Sequence, residues 1–329
     1  VQLVDRMVHH RLVAGNRVEL LRNGDEAFPS MLAAIESAQR SITLATYIFD
    51  NDRAGTRFCA ALKRARERGV EVRVLIDDFG HLYSWPPITR ELERARIPVA
   101  RFLPTLVPWR MQYMNLRNHR KLMVVDGCVG FTGGMNVREG NLLALDPKHP
   151  LRDVHARVEG PVVAHIQQAF TEDWHFTTGQ QLTGDRYFPE LAPAGAVTAR
   201  GLPDGPDEDF EVLRMAIIGA LTVAVERVQI VTPYFVPDGS LITALNVAAM
   251  RGVAVDIVLP EQGNLALVQW ACMGTVGQVL ESGCRVWLSP PPFDHGKLMI
   301  VDGLWSLLGS ANWDMRTLRL NFEFNLELY

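Results

Sequence analysis

The chain has 329 residues and a mass of 36.8 kDa, a length typical of about two domains. Apolar residues make up 48% and charged residues 21%, which excludes a disordered chain, a collagen-like fibre and a small disulfide scaffold. The formal net charge is −4 at pH 7, so the chain lacks the basic balance of proteins that bind long nucleic acids non-specifically. The four cysteines have no Cys-x-x-Cys spacing, which argues against a zinc ribbon.

Alternating helices and strands are predicted for the first half of the chain. Apolar residues recur at helical spacing from Phe28 to Ile35, which indicates an amphipathic helix. The β-rich run over 41–50 predicts a strand, the Ala-, Leu- and Arg-rich run over 54–68 predicts a helix, and 69–78 predicts a buried strand. Strands separated by helices are typical of a layered α/β fold.

The second half repeats this order. The run over 227–235 resembles 41–50, and the run over 252–260 resembles 69–78. In both halves the later strand begins after an Arg-Gly-Val sequence that follows a predicted helix. The repeat therefore predicts two α/β halves of similar design.

The clearest repeat pairs 118–137 (NHRKLMVVDGCVGFTGGMNV) with 294–313 (DHGKLMIVDGLWSLLGSANW), and nine of the twenty aligned positions are identical. Five identical pairs each lie 176 residues apart: His119 and His295, Lys121 and Lys297, Asp126 and Asp302, Gly133 and Gly309, and Asn136 and Asn312. Packing alone would keep the apolar positions and let the polar ones drift. The conserved spacing of His, Lys and Asn therefore indicates a shared chemical role.

A link between the halves is predicted in the Gly-, Pro- and Ala-rich stretch over 188–206. We expect one half over 1–195, with the first His-Lys-Asp segment, and the other over 196–329, with the second. Each half is predicted to be a mixed β-sheet flanked by helices, and the active site is expected at the interface between them.

Each repeated segment predicts an anion site. His119 and Lys121 are two residues apart, so on a regular strand their side chains share a face. Asp126 has the opposite parity and precedes a glycine, which favours a structural role in a hairpin turn, and the same holds for Asp302. The Gly-rich returns that end in Asn136 and Asn312 bring amide donors back toward the His-Lys pairs.

Two such segments facing each other would place two imidazoles, two ammonium groups and two amides around one cavity. This set suits phosphodiester chemistry, because the ammonium groups stabilise the charge that develops in the transition state. A neutral imidazole is able to attack phosphorus while a protonated one donates to the leaving alcohol. No metal or other cofactor is expected.

The doubled His-x-Lys-x4-Asp pattern, followed by Gly-Gly-x-Asn and Gly-Ser-x-Asn, resembles the phospholipase D superfamily. The similarity includes 312–316, 321–323, 23–28 and 46–49, spans nearly the whole chain, and is greatest toward bacterial cardiolipin synthases of the phospholipase D type. The resemblance implies that His119 is the nucleophile, that His295 is the general acid and then base, and that four side chains hold the phosphate oxygens: Lys121, Lys297, Asn136 and Asn312.

The resemblance also implies a carboxylate behind each histidine. Within the second half Glu323 is the expected partner of His295, because the alternating run over 318–328 places it on a polar face. Within the first half Asp153 is the expected partner of His119. Such carboxylates fix the tautomer and orientation of a working imidazole.

The function implied by the resemblance is transfer of a phosphatidyl group between two phosphatidylglycerol molecules, giving cardiolipin and glycerol through a phosphohistidine. Hydrolysis of a phospholipid to phosphatidic acid is the alternative, and a nuclease of the same superfamily is disfavoured by the acidic pI near 6.2. A non-catalytic lipid-binding protein is also disfavoured, because both His-Lys pairs are intact. The oligomeric state is left open.

Contact with a membrane is expected. The apolar and aromatic run over 101–116 precedes the first motif and predicts either an interfacial segment or an acyl-channel wall, through Trp109, Met111, Tyr113 and Met114. No run reaches about 18 uninterrupted apolar residues, so no transmembrane helix is predicted. We therefore expect the protein at the bacterial cytoplasmic membrane, bound peripherally or through an anchor absent from this chain.

Overall fold

The structure is a computed structural model that describes residues 2–104, 116–206 and 209–329. The predicted residues Trp109, Met111, Tyr113 and Met114 lie outside this described part of the chain. The described helices are α1 (Gln2–Asp5), α2 (Asn23–Ser37), α3 (Arg53–Glu67), α4 (Thr89–Arg94), α5 (Val163–Thr178), α6 (Val212–Val223), α7 (Gly239–Met250), α8 (Ala266–Leu280) and α9 (Thr317–Leu320). None of these described helices has the length and apolar character needed to cross a membrane.

Strands make up the centre of the molecule. Those from the earlier part of the chain are β1 (Val13–Arg22), β2 (Ser41–Thr46), β3 (Glu71–Asp77), β4 (Val99–Phe102), β5 (Arg117–Asn118), β6 (Leu122–Val125), β7 (Val129–Gly133), β8 (Leu151–Arg152) and β9 (Val154–Glu159). Those from the later part are β10 (Val197–Asp204), β11 (Arg227–Val231), β12 (Phe235–Val236), β13 (Ala254–Pro260), β14 (Arg285–Ser289), β15 (Phe293–Asp294), β16 (Leu298–Val301), β17 (Trp305–Gly309), β18 (Trp313–Asp314) and β19 (Asn321–Leu328).

One continuous sheet runs through both halves in the order β4-β3-β2-β6-β7-β9-β1-β10-β19-β17-β16-β11-β13-β14, and β5 also pairs with β19. The order on either side of the β1–β10 contact is the same. In each half three parallel strands form the outer edge, and antiparallel strands lead inward from them. The predicted mixed α/β architecture of two similar halves is confirmed.

The central strands β1 and β10 join the two halves by antiparallel pairing. In the second half β10 occupies the place that β1 occupies in the first. β1 pairs with β9, the last long strand of the first half, and β10 pairs with β19, the last long strand of the second. On this ground we propose that the halves divide at 195/196.

Sequence patterns explain the local elements that carry the site. Asp52 caps α3 by accepting a hydrogen bond from the Gly55 backbone N–H, and Asp238 caps α7 in the same way. Apolar faces of α2 and α3 pack on β2 and β3 in one core, and α6 and α7 build a second core in the later half. A third core under α5 includes residues of both halves, such as Val124 and Phe324, and so holds the halves together.

Candidate active site

The two histidine segments depart from the regular strand that the sequence predicts. His119 lies between β5 and β6, and His295 lies between β15 and β16. The interruption has a local cause, because the side-chain oxygen of Asn118 accepts the backbone N–H of Arg120, and Asp294 likewise accepts the N–H of Gly296. These Asx turns compete with the strand ladder.

Each histidine is bound by the carboxylate of the other half, and this corrects the pairing expected from the sequence. His119 Nδ1 lies 3.0 Å from both carboxylate oxygens of Glu323. His295 Nδ1 lies 2.7 Å from Asp153 Oδ2. The expected pairs within each half, His119 with Asp153 and His295 with Glu323, were therefore wrong.

Strand pairing is the physical reason for the exchange. β5 of the first half pairs in parallel with β19 of the second, so that the His119 N–H donates to the carbonyl of Phe322, 2.9 Å away, and Glu323 comes next. β15 of the second half pairs in parallel with β8 of the first, and the His295 N–H donates to the carbonyl of Arg152, just before Asp153.

The two carboxylates are buried and differently supported. Glu323 also accepts hydrogen bonds from the Ser310 hydroxyl and, at 3.1 Å, from the side-chain amide of Asn321. Asp153 accepts the backbone N–H of Val154 at 2.8 Å. Burial by itself would raise the pKa of either carboxyl, but the neighbouring histidine and lysine charges outweigh it, and the pKa of each is lowered. Both are therefore carboxylates at neutral pH.

Because a carboxylate accepts hydrogen bonds, the Nδ1 atom of each ring carries the proton and Nε2 is left for chemistry. Burial lowers the pKa of His119, since the charged ring loses hydration. Burial and the Lys297 ammonium lower the pKa of His295 to about 4. Both rings are thus neutral at pH 7 before an anion binds.

The predicted lysines lie beside their histidines and are buried. Lys121 Nζ donates to the backbone carbonyl of His119 at 2.6 Å, and Lys297 Nζ donates to that of His295. Burial lowers the pKa of Lys121 to about 7 and that of Lys297 to about 8, while the carboxylates of Glu323 and Asp153 oppose the effect. An arriving anion would favour the charged form of both.

The predicted asparagines flank the histidines. Asn136 is buried and lines the same cavity, and its Oδ1 accepts the backbone N–H of Ile48 at 3.0 Å, so its amide N–H groups are oriented away from that N–H. Asn312 is buried and also lines the cavity, and its Nδ2 donates to the Thr317 hydroxyl at 3.4 Å. These are the positions expected for amide donors to an anion.

The predicted aspartates of the repeat occupy hairpin turns with positive φ, 54° for Asp126 and 52° for Asp302. Asp126 accepts three consecutive backbone N–H groups, those of residues 39–41. Asp302 accepts those of residues 225–227. Each carboxylate therefore ties its hairpin to the start of a neighbouring strand, and neither residue lines the cavity.

A single cavity of about 930 Å³ contains both histidines and is lined by residues of both halves. Tyr47 packs edge-on against His119, with ring centroids 5.2 Å apart, and Tyr234 packs edge-on against His295 at 6.4 Å. The walls are otherwise largely apolar, and a smaller chamber of about 220 Å³ adjoins this cavity through three shared residues. The shared residues are Tyr234, Leu265 and Val268.

Sequence reasoning missed several lining residues. Tyr47 lies in a stretch that carries the resemblance and Tyr234 in the repeated run over 227–235, but nothing in their spacing distinguishes them from core residues. Arg117 and Arg138 also line the cavity, and their nearness to the repeated motifs in sequence was the available signal.

Comparisons with known proteins agree with this architecture. The family model described as "Cardiolipin synthase, PLD-like domain" matches residues 31–174 and 217–329. The chain is 33% identical over 331 residues to a cardiolipin synthase of Geobacillus kaustophilus, covering all of this chain and 66% of the relative. It is 35% identical over 325 residues to the major cardiolipin synthase of Bacillus subtilis, covering 98% of this chain and 67% of the relative. The chain thus spans about two thirds of the length of these relatives.

Solved structures support the fold. A phosphatidylserine synthase of Haemophilus influenzae superposes with a TM-score of 0.75 at 16% identity, over all of this chain and 86% of that one. A polyphosphate kinase of Porphyromonas gingivalis superposes with a TM-score of 0.60 at 12% identity, over 94% of this chain and 47% of the other. With the family match covering most of the sequence, the chain belongs to the cardiolipin synthase family of phospholipase D-like proteins.

Proposed function

We propose that the protein is a phosphatidyltransferase that makes cardiolipin from two phosphatidylglycerol molecules and releases glycerol. The observation that carries this proposal is the pair of histidines in one cavity, each held by a buried carboxylate of the opposite half. Two imidazoles with free Nε2 atoms supply a nucleophile and a proton carrier at the same phosphorus.

In the first step Nε2 of His119 attacks the phosphorus of phosphatidylglycerol. A P–N bond forms, the P–O bond to the head-group glycerol breaks, and His295 donates its Nε2 proton to the departing oxygen. Glu323 stabilises the positive charge that develops on the His119 ring, since their atoms are 3.0 Å apart. Glycerol leaves and a phosphatidyl group remains on His119.

In the second step His295 accepts the proton of a hydroxyl on a second phosphatidylglycerol. The hydroxyl oxygen attacks phosphorus, the P–N bond breaks, and His119 is regenerated with cardiolipin as product. The roles follow from symmetry of the two steps, because the group that donates a proton to one alcohol removes it from the next.

The charges of the site support these two reaction steps. His295 must be protonated to donate, yet burial and Lys297 lower its pKa to about 4. A bound phosphodiester adds a negative charge beside the ring, which raises that pKa and favours the acid form. The ammonium groups of Lys121 and Lys297, with Asn136 and Asn312, then bind the non-bridging oxygens as their charge grows.

Apolar surface around the cavity supports a lipid substrate and contact with a bilayer. Leu265 and Leu267 on one side of the cavity, and Phe79 and Tyr83 on the other, combine a place in its lining with exposed fractions from 46 to 77%. Large exposed apolar groups around a pocket are typical of an interaction surface. Peripheral binding at the cytoplasmic membrane would let acyl chains stay in lipid while the head group enters.

The test is product analysis with phosphatidylglycerol vesicles and no added metal. Wild type is expected to yield cardiolipin and glycerol in equal amounts, detected by mass spectrometry, and His119→Ala is expected to yield neither. Arg66→Gln, which removes an exposed charge from α3, serves as a matched handling control. Phosphatidic acid without cardiolipin would replace the transferase with a hydrolase, and the absence of any lipid product would overturn both.

A further inference from the structure

Arg117 is a buried cation that has no acidic partner among the described residues. Its side chain lines the cavity, and the residue is 7% exposed. Within the described part of the chain, no carboxylate oxygen lies within 4.0 Å of the Arg117 guanidinium, the distance that defines an ion pair. The Nε of Arg117 has no hydrogen-bond partner there either. One terminal nitrogen donates to the carbonyl of Leu116 at 2.8 Å, and the guanidinium lies 5.1 Å from the centre of the Phe79 ring.

One acidic residue that interacts with the charge of Arg117, Asp77, already accepts backbone hydrogen bonds. Asp77 is buried, and its carboxylate accepts the backbone N–H groups of Phe79, Gly80 and Asn118. It interacts with Arg117 only through longer-range charge. Buried charges are normally paired because desolvation is costly. Arg117 therefore brings to the cavity lining a positive charge that no described carboxylate pairs with.

A second arginine lines the same cavity from the first half. Arg138 Nε lies 3.2 Å from Asp50 Oδ2, and its two terminal nitrogens make no hydrogen bond to other described residues. Burial raises the pKa of Asp50, and the Arg138 charge opposes the rise.

The internal repeat makes these arginines informative. A shift of 176 residues carries Arg117 onto Phe293 and Arg138 onto Asp314, both of which line the cavity from the second half. The machinery around phosphorus is duplicated, but these cations are not. The second half contributes only the exposed Arg316 to the lining, and a site that held one anion symmetrically between two copies would have no use for a buried arginine on one side.

We propose that Arg117, assisted by Arg138, binds the phosphodiester of the acceptor lipid. The inference rests on the proposed function, because joining two phosphatidylglycerol molecules requires two phosphodiesters in one cavity. The donor's phosphorus lies at the histidines and is transformed. The acceptor's phosphodiester keeps its charge throughout, so it needs its own cation to offset repulsion between the anions. Water or a neutral alcohol would have no such need.

The test compares two soluble acceptors that differ only in a phosphate, glycerol and glycerol 3-phosphate. The donor is phosphatidyl-p-nitrophenol, which has no acceptor hydroxyl, and the two transfer products are measured by mass spectrometry at equal acceptor concentrations. Loss of charge-assisted hydrogen bonds predicts that Arg117→Gln lowers transfer to glycerol 3-phosphate about tenfold or more relative to transfer to glycerol. The change is expected in KM for the anionic acceptor.

Arg138→Gln, at a half-buried position, gives a second reading if Arg117→Gln folds poorly, and we expect a smaller shift in the same direction. Arg316→Gln removes an exposed arginine that lines the cavity from the second half. An equal shift in Arg316→Gln, or unchanged acceptor preference in both first-half variants, would overturn the proposal. Wild type that makes no cardiolipin from phosphatidylglycerol, but still prefers glycerol 3-phosphate through Arg117, would instead refute only the proposed function.

Discussion

Each of the two site histidines is bound by a buried carboxylate, but the two carboxylates and the residues beside them differ. On the His119 side a long carboxylate, Glu323, is also bound by the hydroxyl of Ser310. On the His295 side a shorter carboxylate, Asp153, lies against Gly134, the residue that occupies the repeat position of Ser310. A Cβ at position 134 would lie 2.2 Å from Asp153 Oδ1.

This difference shows that the repeat preserves the position of a carboxylate rather than a residue type. Where the carboxylate reaches from β19, a serine fits beside it and donates to it. The shorter carboxylate of Asp153, which directly precedes β9, lies close to position 134. Only a residue without a side chain at that position leaves room for it. Gly134 has no positive φ, so space is its requirement.

The largest effects are expected at the histidines, where they separate the roles of the two halves. His119→Ala removes the attacking atom and is expected to reduce transfer by about 10³-fold or more. With phosphatidyl-p-nitrophenol, whose leaving group needs no proton, His295→Ala should still release one equivalent of nitrophenolate and remain as a phosphatidyl adduct. Stopped-flow absorbance and intact-protein mass measure both. A burst in His119→Ala and none in His295→Ala would exchange the assigned roles.

Exchanging the small residues tests the comparison directly. Gly134→Ser is expected to displace Asp153 from His295 and lower kcat about 100-fold, because a misplaced acid-base group loses its geometry. Ser310→Gly removes one donor to Glu323 and leaves space, so a loss of about tenfold is expected. Steady-state kinetics and thermal unfolding of both variants provide the measurement. Equal losses would contradict the steric account of Gly134.

Much of this site could be predicted from the sequence because its chemistry is repeated there. The spacing of 176 residues identified the histidines, lysines and asparagines that line or adjoin one cavity. The partner of each histidine could not be predicted, since it depends on which strand β5 and β15 pair with. Those are two-residue strands, too short to leave a periodic pattern.

The unpaired character of Arg117 could not be predicted for a related reason. Arg117 has no ion-pair partner among the described residues, and the carboxylate of Asp77 accepts backbone N–H groups instead. Such competition between side chain and backbone is set by a turn that the sequence does not mark. The α/β order, by contrast, followed from helical and strand periodicities spread over many residues.

The lysines allow a finer comparison of the halves through pH. Burial lowers the pKa of Lys121 to about 7 and of Lys297 to about 8, and only the protonated forms bind an anion strongly. The lysines therefore predict that kcat/KM falls as pH rises through about 7 to 8. Arginine stays charged over this range, so Lys297→Arg should keep the fall in kcat/KM near pH 7 that Lys121 causes and remove the fall near pH 8. A profile that stays flat to pH 9 in wild type would contradict the expectation.

The smallest effect on catalysis is expected at the two turn aspartates, because their carboxylates bind backbone rather than line the cavity. Asp126→Ala and Asp302→Ala each remove an acceptor of three N–H groups and should lower the free energy of unfolding by about 1–3 kcal/mol. Asp→Asn keeps one acceptor oxygen and should cost less. Denaturant unfolding measures the loss, and kcat at a temperature where all variants are folded should stay within about twofold. A large fall in kcat with unchanged stability would move these residues into the reaction, and a loss in one half alone would break the equivalence of the two hairpins.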